Sequence, residues 1–331
     1  MDLSFSDVKI HDFLYIVGSV SVVLLLLKIS SFLWLYAKPS SLSRYKHKDT
    51  KSWALVTGAT DGIGRALALE LTKRGFSVLL HGRNPSKLSR VKSEIEASVP
   101  DANLQTTILN ASTFTTADIT TLAQTVSNLD GKLTVLINNV GGVNYTPVFG
   151  PFTSLAPSDI DATLNMNARF PTQLTHALLP LLSSNSPSLV INIGSMAGVA
   201  GTPYVTTYAA CKAFNHTFST SLTSESRLNT PAGVEVLGLL VGTVRTTKHQ
   251  VELNVFAPTA EVLARAALAR VGCGERLVNA YFWHAVQAGF LGLVSDWIGE
   301  AMVRGIMVKK VEEEKGWKVE AVDGRPEEKA E

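Results

Sequence analysis

The sequence predicts an α/β fold in which helices cover both faces of one parallel sheet. From residue 53 onward, short apolar runs alternate with helical segments, beginning with WALVTG and GIGRALALELTKRG. The apolar runs are continuous rather than alternating in polarity, which is typical of strands that are buried on both faces. Strands that alternate with helices in this way form right-handed crossovers and a doubly wound sheet.

The remaining elements follow the same rhythm along the chain. The later apolar runs are SVLLHGR, LQTTILN, LTVLINNVGG, SLVINIGS and GVEVLGLLVGT. Between them, helices are predicted over PSKLSRVKSEIEASV and over residues 115–129, 157–184 and 204–229. A further amphipathic helix, AEVLARAALARVG, follows the last of these strands.

An apolar stretch from Phe13 to Ala37 precedes this alternation. As a helix it is long enough to cross about 30 Å of hydrocarbon, and Lys28 is its one charged residue. A cleaved signal peptide is the alternative, but the stretch is too long and lacks a preceding basic segment and a small-residue cleavage site. We therefore predict a single-pass membrane anchor. Basic residues cluster directly after it, at Lys38, Arg44, Lys46, Lys48 and Lys51, and this asymmetry predicts that the rest of the chain faces the cytosol.

The predicted organisation has five segments. They are an anchor over 1–37, a polar basic linker over 38–51, a catalytic domain over 52–258, a helical region over 259–308 and a charged tail over 309–331. Residues 277–307 are rich in apolar and aromatic side chains but are interrupted by titratable ones, so a second membrane span is not expected. We expect this segment to pack on the domain with some membrane contact, and an oligomer face is the alternative.

Composition restricts the classes of partner. The chain is 46% apolar and 18% charged, with a formal net charge of +2 and no basic stripe, so a nucleic-acid partner is not predicted. The two cysteines, Cys211 and Cys273, cannot build a disulfide framework and are interpreted as small core residues. No metal site is predicted.

The turn TGATDGIG joins the first strand to the first helix. Gly58, Gly62 and Gly64 permit a tight turn and let a pyrophosphate approach backbone amides at the positive helix N-terminus. A P-loop is excluded because no G-K-[ST] closes the motif. The position of this turn predicts a Rossmann-type sheet that binds a dinucleotide. Three further turn residues are candidate cofactor contacts: Thr60, Asp61 and Ile63.

The end of the second strand determines which nicotinamide cofactor is expected. Gly82 and Arg83 stand where an acidic residue would bind the ribose 2′-hydroxyl. An arginine instead favours a 2′-phosphate through its charge and forked hydrogen-bond geometry. This predicts NADPH rather than NADH, and a solvated loop cation is the alternative interpretation of Arg83.

Three polar residues form a candidate catalytic group. Tyr208 and Lys212 are four residues apart, so they share one face of a helix. A nearby ammonium is expected to lower the pKa of a tyrosine, ordinarily about 10, and to make Tyr208 a general acid for a ketone that receives hydride. Ser195 ends the fifth predicted strand, where ligands bind in open α/β sheets, and its hydroxyl can polarise a substrate carbonyl.

Taken together, these motifs resemble the short-chain dehydrogenase/reductase family over about residues 52–250. The matching pieces are TGATDGIG, NNVG (138–141), NMN (165–167), IGS ending at Ser195, and YAACK. The resemblance implies that Asn138 and Gly141 line the cofactor and that Lys212 also holds the nicotinamide ribose. It further implies that Asn167 holds the water that links Lys212 to solvent, with Asn165 as the alternative.

The chain departs from the family pattern at two places. Val241 stands where a proline often follows the sixth strand, and Thr246 then occupies the position that is expected to touch the cofactor carboxamide. Asn110 stands where an aspartate often contacts adenine after the third strand. Because asparagine can also hydrogen-bond, Asn110 remains a candidate cofactor contact.

Within the family, the chain is similar to the very-long-chain 3-oxoacyl-CoA reductases of the endoplasmic reticulum, relatives of the 17β-hydroxysteroid dehydrogenase group. The likeness lies in the anchor, NNVG, LTHALLPLL and YFWHAVQ. It implies NADPH-dependent reduction of 3-oxoacyl-CoA in fatty-acid elongation at that membrane. A homodimer or partners in an elongation complex would be compatible with it. The alternatives are a reductase or dehydrogenase of another lipophilic ketone or alcohol (polyketide, terpenoid or steroid) and a non-catalytic scaffold.

Overall fold

The computed structural model describes residues 10–229, 233–247 and 249–314. The chain divides into two compact units after Ser40. The described part of the first unit is dominated by helix α1 (Ile10–Ala37), whose side chains are almost all exposed. Among the described residues α1 is the one helix that is long and apolar enough to cross a membrane.

The second unit is built on a sheet of seven parallel strands in the order β3-β2-β1-β4-β5-β6-β7. The order reverses between β1 and β4, and open α/β sheets bind ligands at the carboxyl ends of the strands at such a point. The strands are β1 (Ser52–Val56), β2 (Ser77–Gly82), β3 (Leu104–Ile108), β4 (Lys132–Asn138), β5 (Ser188–Ile193), β6 (Val234–Leu240) and β7 (Leu277–Asn279).

Helices cover both faces of this sheet, as the continuous apolar strands predicted. They are α2 (Gly62–Lys73), α3 (Pro85–Ser98), α4 (Thr116–Ser127), α5 (Pro157–Leu164), α6 (Phe170–Ser184), α7 (Thr206–Asn229), α8 (Ala260–Ala269), α9 (Phe282–Leu291) and α10 (Asp296–Glu313). The core lies between sheet and helices, where Trp53, Leu55 and Phe170 are fully buried. The doubly wound Rossmann-type fold is therefore confirmed.

Three elements differ from the sequence-based expectation. The single helix predicted over 157–184 is interrupted by a π-helical turn, Asn165–Arg169, between α5 and α6. The region predicted as helical from 259 contains β7, which adds a seventh strand beside β6. The charged tail predicted from 309 begins inside α10, and residues 315–331 lie outside the described residues.

The predicted linker over 38–51 also differs. The second unit begins at Ser41, whose backbone N–H donates to the Val271 carbonyl at 2.9 Å. Leu42 and Tyr45 lie on a short 3-10 turn and are buried in that unit. The Tyr45 hydroxyl donates to the Glu235 carboxylate on β6. Because Leu42 and Tyr45 are buried and the Ser41 N–H and the Tyr45 hydroxyl are paired within the second unit, residues 41–47 are part of the folded unit rather than a free linker.

Candidate active site

The glycine turn has the backbone that the sequence predicts. Gly58 and Gly62 have φ values of +66° and +50°, in the left-handed region that favours glycine. At Gly64 a Cβ atom would lie 2.2 Å from the Gly58 carbonyl oxygen and 2.5 Å from Nδ2 of Asn139. The turn therefore leaves a backbone-lined cradle at the N-terminus of α2, which fits the pyrophosphate of a dinucleotide.

Asp61 caps α2 and ties the turn to the loop after β6. Its Oδ1 accepts from the Gly62 N–H at 2.7 Å and from the Thr247 hydroxyl at 2.6 Å. A Cβ at Gly62 would lie 3.0 Å from Cγ2 of Thr246, so Thr246 stands directly beside the turn. Thr60 and Ile63 are partly exposed within it.

The end of β2 lies against the same turn. A Cβ at Gly82 would meet Cγ2 of Thr60 at 2.5 Å, so the strand approaches the turn closely. Arg83 follows with an exposed side chain. Asn110, after β3, is partly buried, and its Oδ1 accepts from the hydroxyl of Ser112 at 2.8 Å.

His81 supports the turn from beneath, a contact that sequence reasoning did not identify. Its buried ring stacks on Phe170 with centroids 5.2 Å apart, and its Nδ1 lies 3.4 Å from the Gly58 N–H that donates to it. Burial lowers the pKa of His81 to about 4, opposed by a smaller contribution from the Leu109 backbone. The imidazole is therefore neutral and serves as an acceptor.

The two asparagines of the NNVG segment, Asn138 and Asn139, make different contacts. Asn138 is buried, and its Nδ2 donates to the Thr175 hydroxyl and to Oδ1 of Asn192, both at 2.8 Å. Its side chain is therefore held in the interior of the sheet. Asn139, which the sequence analysis did not select, donates from Nδ2 to the Thr57 carbonyl at 2.8 Å and so braces the strand that enters the glycine turn.

Ser195 and Tyr208 meet at the carboxyl end of β5. Ser195 lies two residues beyond the strand and precedes a short 3-10 turn. Tyr208 is partly exposed near the start of α7. Burial raises the pKa of the Tyr208 hydroxyl, and its hydrogen bond with the Ser195 side chain lowers that pKa by a smaller amount. The net pKa of Tyr208 is raised, so the expectation that Lys212 lowers it is not met in this structure.

Lys212 lies beside the Tyr208 ring on the same helix. Its ammonium is buried, donates to the Ile193 carbonyl at 2.8 Å and lies 5.6 Å from the centroid of the Tyr208 ring. Burial lowers the pKa of Lys212 to about 8, which a smaller effect of Cys211 opposes. The lysine is therefore still predominantly protonated at neutral pH.

Asn167 rather than Asn165 lies beside Lys212. A Cβ at Gly141 would meet Oδ1 of Asn167 at 2.9 Å and Nζ of Lys212 at 3.1 Å, so both side chains converge on that glycine. Asn165 instead donates to the Ser112 carbonyl at 3.2 Å.

Pro171 accounts for part of the local backbone around Asn167. Because proline has no N–H, it cannot donate to the carbonyl of Asn167 four residues earlier. Nδ2 of Asn215 on α7 donates to this carbonyl at 2.8 Å. The proline is thus a sequence signal that could have pointed to the irregular turn.

His216 on α7 also contacts the site, and it was not among the residues predicted from the sequence. Its Nε2 accepts from the Ser195 N–H at 3.4 Å, and a Cβ at Gly194 would lie 2.9 Å from that nitrogen. Burial and Lys212 lower the pKa of His216. The neutral ring therefore supports the backbone of Ser195 from behind.

Comparison with known proteins decides the family. The family model described as short chain dehydrogenase matches residues 52–255. The chain belongs to the short-chain dehydrogenases. The matched range includes the residues that meet at the carboxyl edge of the sheet, namely Ser195, Tyr208 and Lys212. As an enzyme of this family, the protein is an oxidoreductase that acts on a keto or hydroxyl group with a nicotinamide cofactor.

Several relatives carry the same name. The chain is 33% identical to the very-long-chain 3-oxoacyl-CoA reductase of Coprinopsis cinerea, covering 79% of this chain and 76% of that protein. It is 32% identical to the protein of that name from Neurospora crassa, covering 75% and 74%.

Solved structures support the same fold. A study of 7β-hydroxysteroid dehydrogenase stereoselectivity describes a chain with a TM-score of 0.67 at 20% identity, covering 79% of this chain and 98% of that one. A metagenomic short-chain oxidoreductase solved in complex with NADP has a TM-score of 0.58 at 28% identity, covering 69% and 96%.

Proposed function

We propose that this protein is a membrane-anchored, NADPH-dependent reductase that converts 3-oxoacyl-CoA to 3-hydroxyacyl-CoA in very-long-chain fatty-acid elongation. The observation that carries the proposal is the convergence of Ser195, Tyr208 and Lys212 beside a glycine turn that fits a dinucleotide. The relatives named very-long-chain 3-oxoacyl-CoA reductase support the substrate class.

Each catalytic side chain has a defined task in this reaction. A nicotinamide cofactor held at the glycine turn would supply hydride to the carbonyl carbon. Ser195 donates a hydrogen bond to the carbonyl oxygen, and Tyr208 transfers its proton to that oxygen as negative charge develops there. A raised pKa keeps Tyr208 protonated until this moment. Lys212 adds positive charge near the ring and would hold the nicotinamide ribose.

Asn167 completes the proposed proton path. Its side chain converges with Lys212 on Gly141, where a water would link the ammonium to solvent. Gly141 and the backbone at Asn138 would line the nicotinamide side of the cleft, and Thr246 would contact the carboxamide. At the other end of the cofactor, Asn110 would contact the adenine.

The preference for NADPH rests on Arg83. Its exposed guanidinium follows the strand that abuts Thr60, and a forked cation suits a 2′-phosphate. Replacing Arg83 with alanine should raise the KM for NADPH about tenfold and leave the KM for NADH nearly unchanged. Steady-state kinetics with both cofactors measure this, and equal losses for the two cofactors would contradict the assignment.

Tyr208→Phe tests the reductase function. We expect turnover of 3-oxoacyl-CoA to fall at least about 10³-fold, because the proton donor is lost, while NADPH binding stays within about twofold because the ring remains. Oxidation of NADPH, followed at its absorbance, measures the first quantity and cofactor fluorescence the second. Full turnover by the variant would refute the assignment.

A substrate panel separates the proposed function from its alternatives. The panel contains 3-oxoacyl-CoA thioesters of several chain lengths and steroid, polyketide and terpenoid ketones. Preferential reduction of long acyl thioesters supports the elongation role, and reduction of another ketone class would replace it. NADPH binding without turnover of any ketone would favour a non-catalytic scaffold.

The proposed location is the membrane of the endoplasmic reticulum. Helix α1 supports an anchor by its length and apolar composition, and the basic residues that follow it support a catalytic unit on the cytosolic side. Protease protection in microsomes tests this orientation: cleavage of the catalytic unit in sealed vesicles is expected, and protection would reverse the orientation. Acyl-CoA is the proposed substrate, and a homodimer or an elongation complex the proposed assembly.

A further inference from the structure

Two loops flank Ser195 at the carboxyl edge of the sheet. The β4 loop covers residues 139–151, and the described residues of the β6 loop are 241–247 and 249–259. Strands β4 and β6 lie on either side of β5, so these loops lie on either side of the segment that carries Ser195. At the root of the β6 loop, the Val241 carbonyl accepts from the Met196 N–H at 2.9 Å. A substrate carbonyl at Ser195 would therefore lie between the two loops.

The carboxylate of Glu314 holds the β4 loop. Its Oε1 accepts from the Val148 N–H at 2.7 Å and its Oε2 from the Phe149 N–H at 2.8 Å. Two charge-assisted bonds to successive amides fix both the position and the orientation of the backbone. The next residue, Gly150, donates to the Tyr204 carbonyl at 3.4 Å, four residues before Tyr208. Glu314 thus fixes the β4 loop next to the point where the loop contacts Tyr204, just before the helix that carries Tyr208.

Lys310 connects this contact to the β6 loop. Its Nζ lies 5.4 Å from the centroid of the Phe149 ring and 3.4 Å from Nε2 of His249. His249 Nδ1 lies 3.2 Å from the Val244 carbonyl oxygen, so Nδ1 donates and Nε2 is free to accept from the ammonium. One side chain on α10 therefore contacts both loops.

The β6 loop carries this contact toward the cofactor turn. The His249 N–H donates to the Thr246 hydroxyl at 3.0 Å, and Thr246 lies beside Gly62. At the root of the loop, Nδ1 of the fully buried His284 accepts from the Gly242 N–H at 3.1 Å. Helix α9 thus holds the root of the β6 loop, and α10 holds its outer part.

We propose that Glu314 and Lys310 are positioning residues that clamp the β4 loop to the β6 loop and so shape the mouth of the substrate cleft for a lipophilic ketone. Helix α10 provides a firm base, because Met307 and Val311 are buried on its inner face. The hydrogen-bond partners of both residues are loop groups rather than catalytic side chains. The clamp therefore acts on substrate binding and leaves proton transfer unchanged.

The effect on catalysis rests on the proposed reductase function, whereas the clamp itself is measurable without substrate. Hydrogen exchange of the full-length protein should show about tenfold faster exchange of the Val148 and Phe149 amides in Glu314→Gln. Glu312→Gln is the matched control, since it removes the same charge from an exposed position two residues earlier, in the last turn of α10, and its exchange should equal that of the wild type.

Steady-state kinetics with a long-chain 3-oxoacyl-CoA provide the second measurement. Glu314→Gln and Lys310→Met should each raise the substrate KM about tenfold, with kcat within about twofold of the wild type. Lys310→Arg should restore the KM because it keeps the charge, and Lys309→Met is the matched control at an exposed position.

The outcomes are distinguishable. Unchanged amide exchange in Glu314→Gln would overturn the clamp. Faster exchange with an unchanged KM, or a loss confined to kcat, would overturn the positioning role. A wild-type protein that reduces no ketone would overturn the proposed function, and amide exchange would still decide whether Glu314 clamps the loop.

Discussion

Replacing Lys212 with methionine should leave the cofactor-free protein nearly as stable as the wild type, although the residue is buried. Burial lowers the pKa of Lys212 from 10.5 to about 8. Each pKa unit corresponds to about 1.4 kcal/mol, so the charged lysine costs the folded state about 3 kcal/mol at neutral pH. Methionine removes that cost but leaves the Ile193 carbonyl without this donor, and an unsatisfied buried acceptor costs about 1–3 kcal/mol. The two effects largely cancel at pH 7.

The difference in free energy of unfolding between the wild type and Lys212→Met should depend on pH, and this dependence tests the reasoning. The folded pKa lies below the unfolded one, so the unfolded wild type binds more protons between about pH 8 and 10.5. The wild type should therefore gain about 2 kcal/mol relative to Lys212→Met between pH 8 and 10. Urea unfolding followed by tryptophan fluorescence measures both proteins across this range. A difference that does not change with pH, or a variant less stable by more than about 4 kcal/mol at pH 7, would refute the argument.

Two further predictions concern the glycine turn. Gly64→Ala should weaken NADPH binding at least about tenfold, because its Cβ would lie 2.2 Å from a backbone oxygen; titration of cofactor fluorescence measures this, and Gly289→Ala, which has open space around it, should match the wild type. His81 has a folded pKa of about 4, below its unfolded value of 6.5, so it should cost the wild type about 2 kcal/mol of stability between pH 7.5 and 5. His81→Leu should not lose this stability, as urea unfolding of both proteins at pH 7.5 and pH 5 would measure. An equal loss of stability in the two proteins would contradict the prediction.

The sequence predicted those structural features that follow from a regular pattern of residues along the chain. Continuous apolar strands indicated a sheet that is covered on both faces, and the four-residue spacing placed Tyr208 and Lys212 on one helix. The sequence did not indicate β7, because its three residues at the edge of the sheet lie among apolar residues that also suit a helix.

Other features depend on tertiary contacts that local spacing does not report. The side chain of Asn138 is held by partners 37 and 54 residues away, and the raised pKa of Tyr208 reflects desolvation by the surrounding chain. The π-helical turn at Asn165–Arg169 adds a residue to a helix whose apolar pattern otherwise continues. Pro171, with its missing N–H, was a local signal of that irregularity that the sequence analysis did not use.

The docking of residues 41–47 determines where the chain can be shortened. Removing everything before Ser52 would delete Leu42 and Tyr45 from the core and would take the phenol away from the Glu235 carboxylate. That carboxylate would keep the Gly272 N–H, at 3.1 Å from its other oxygen. Loss of a partner for a partly buried charge is costly. A version without the apolar helix should therefore begin no later than Ser41, even though the family match starts at residue 52.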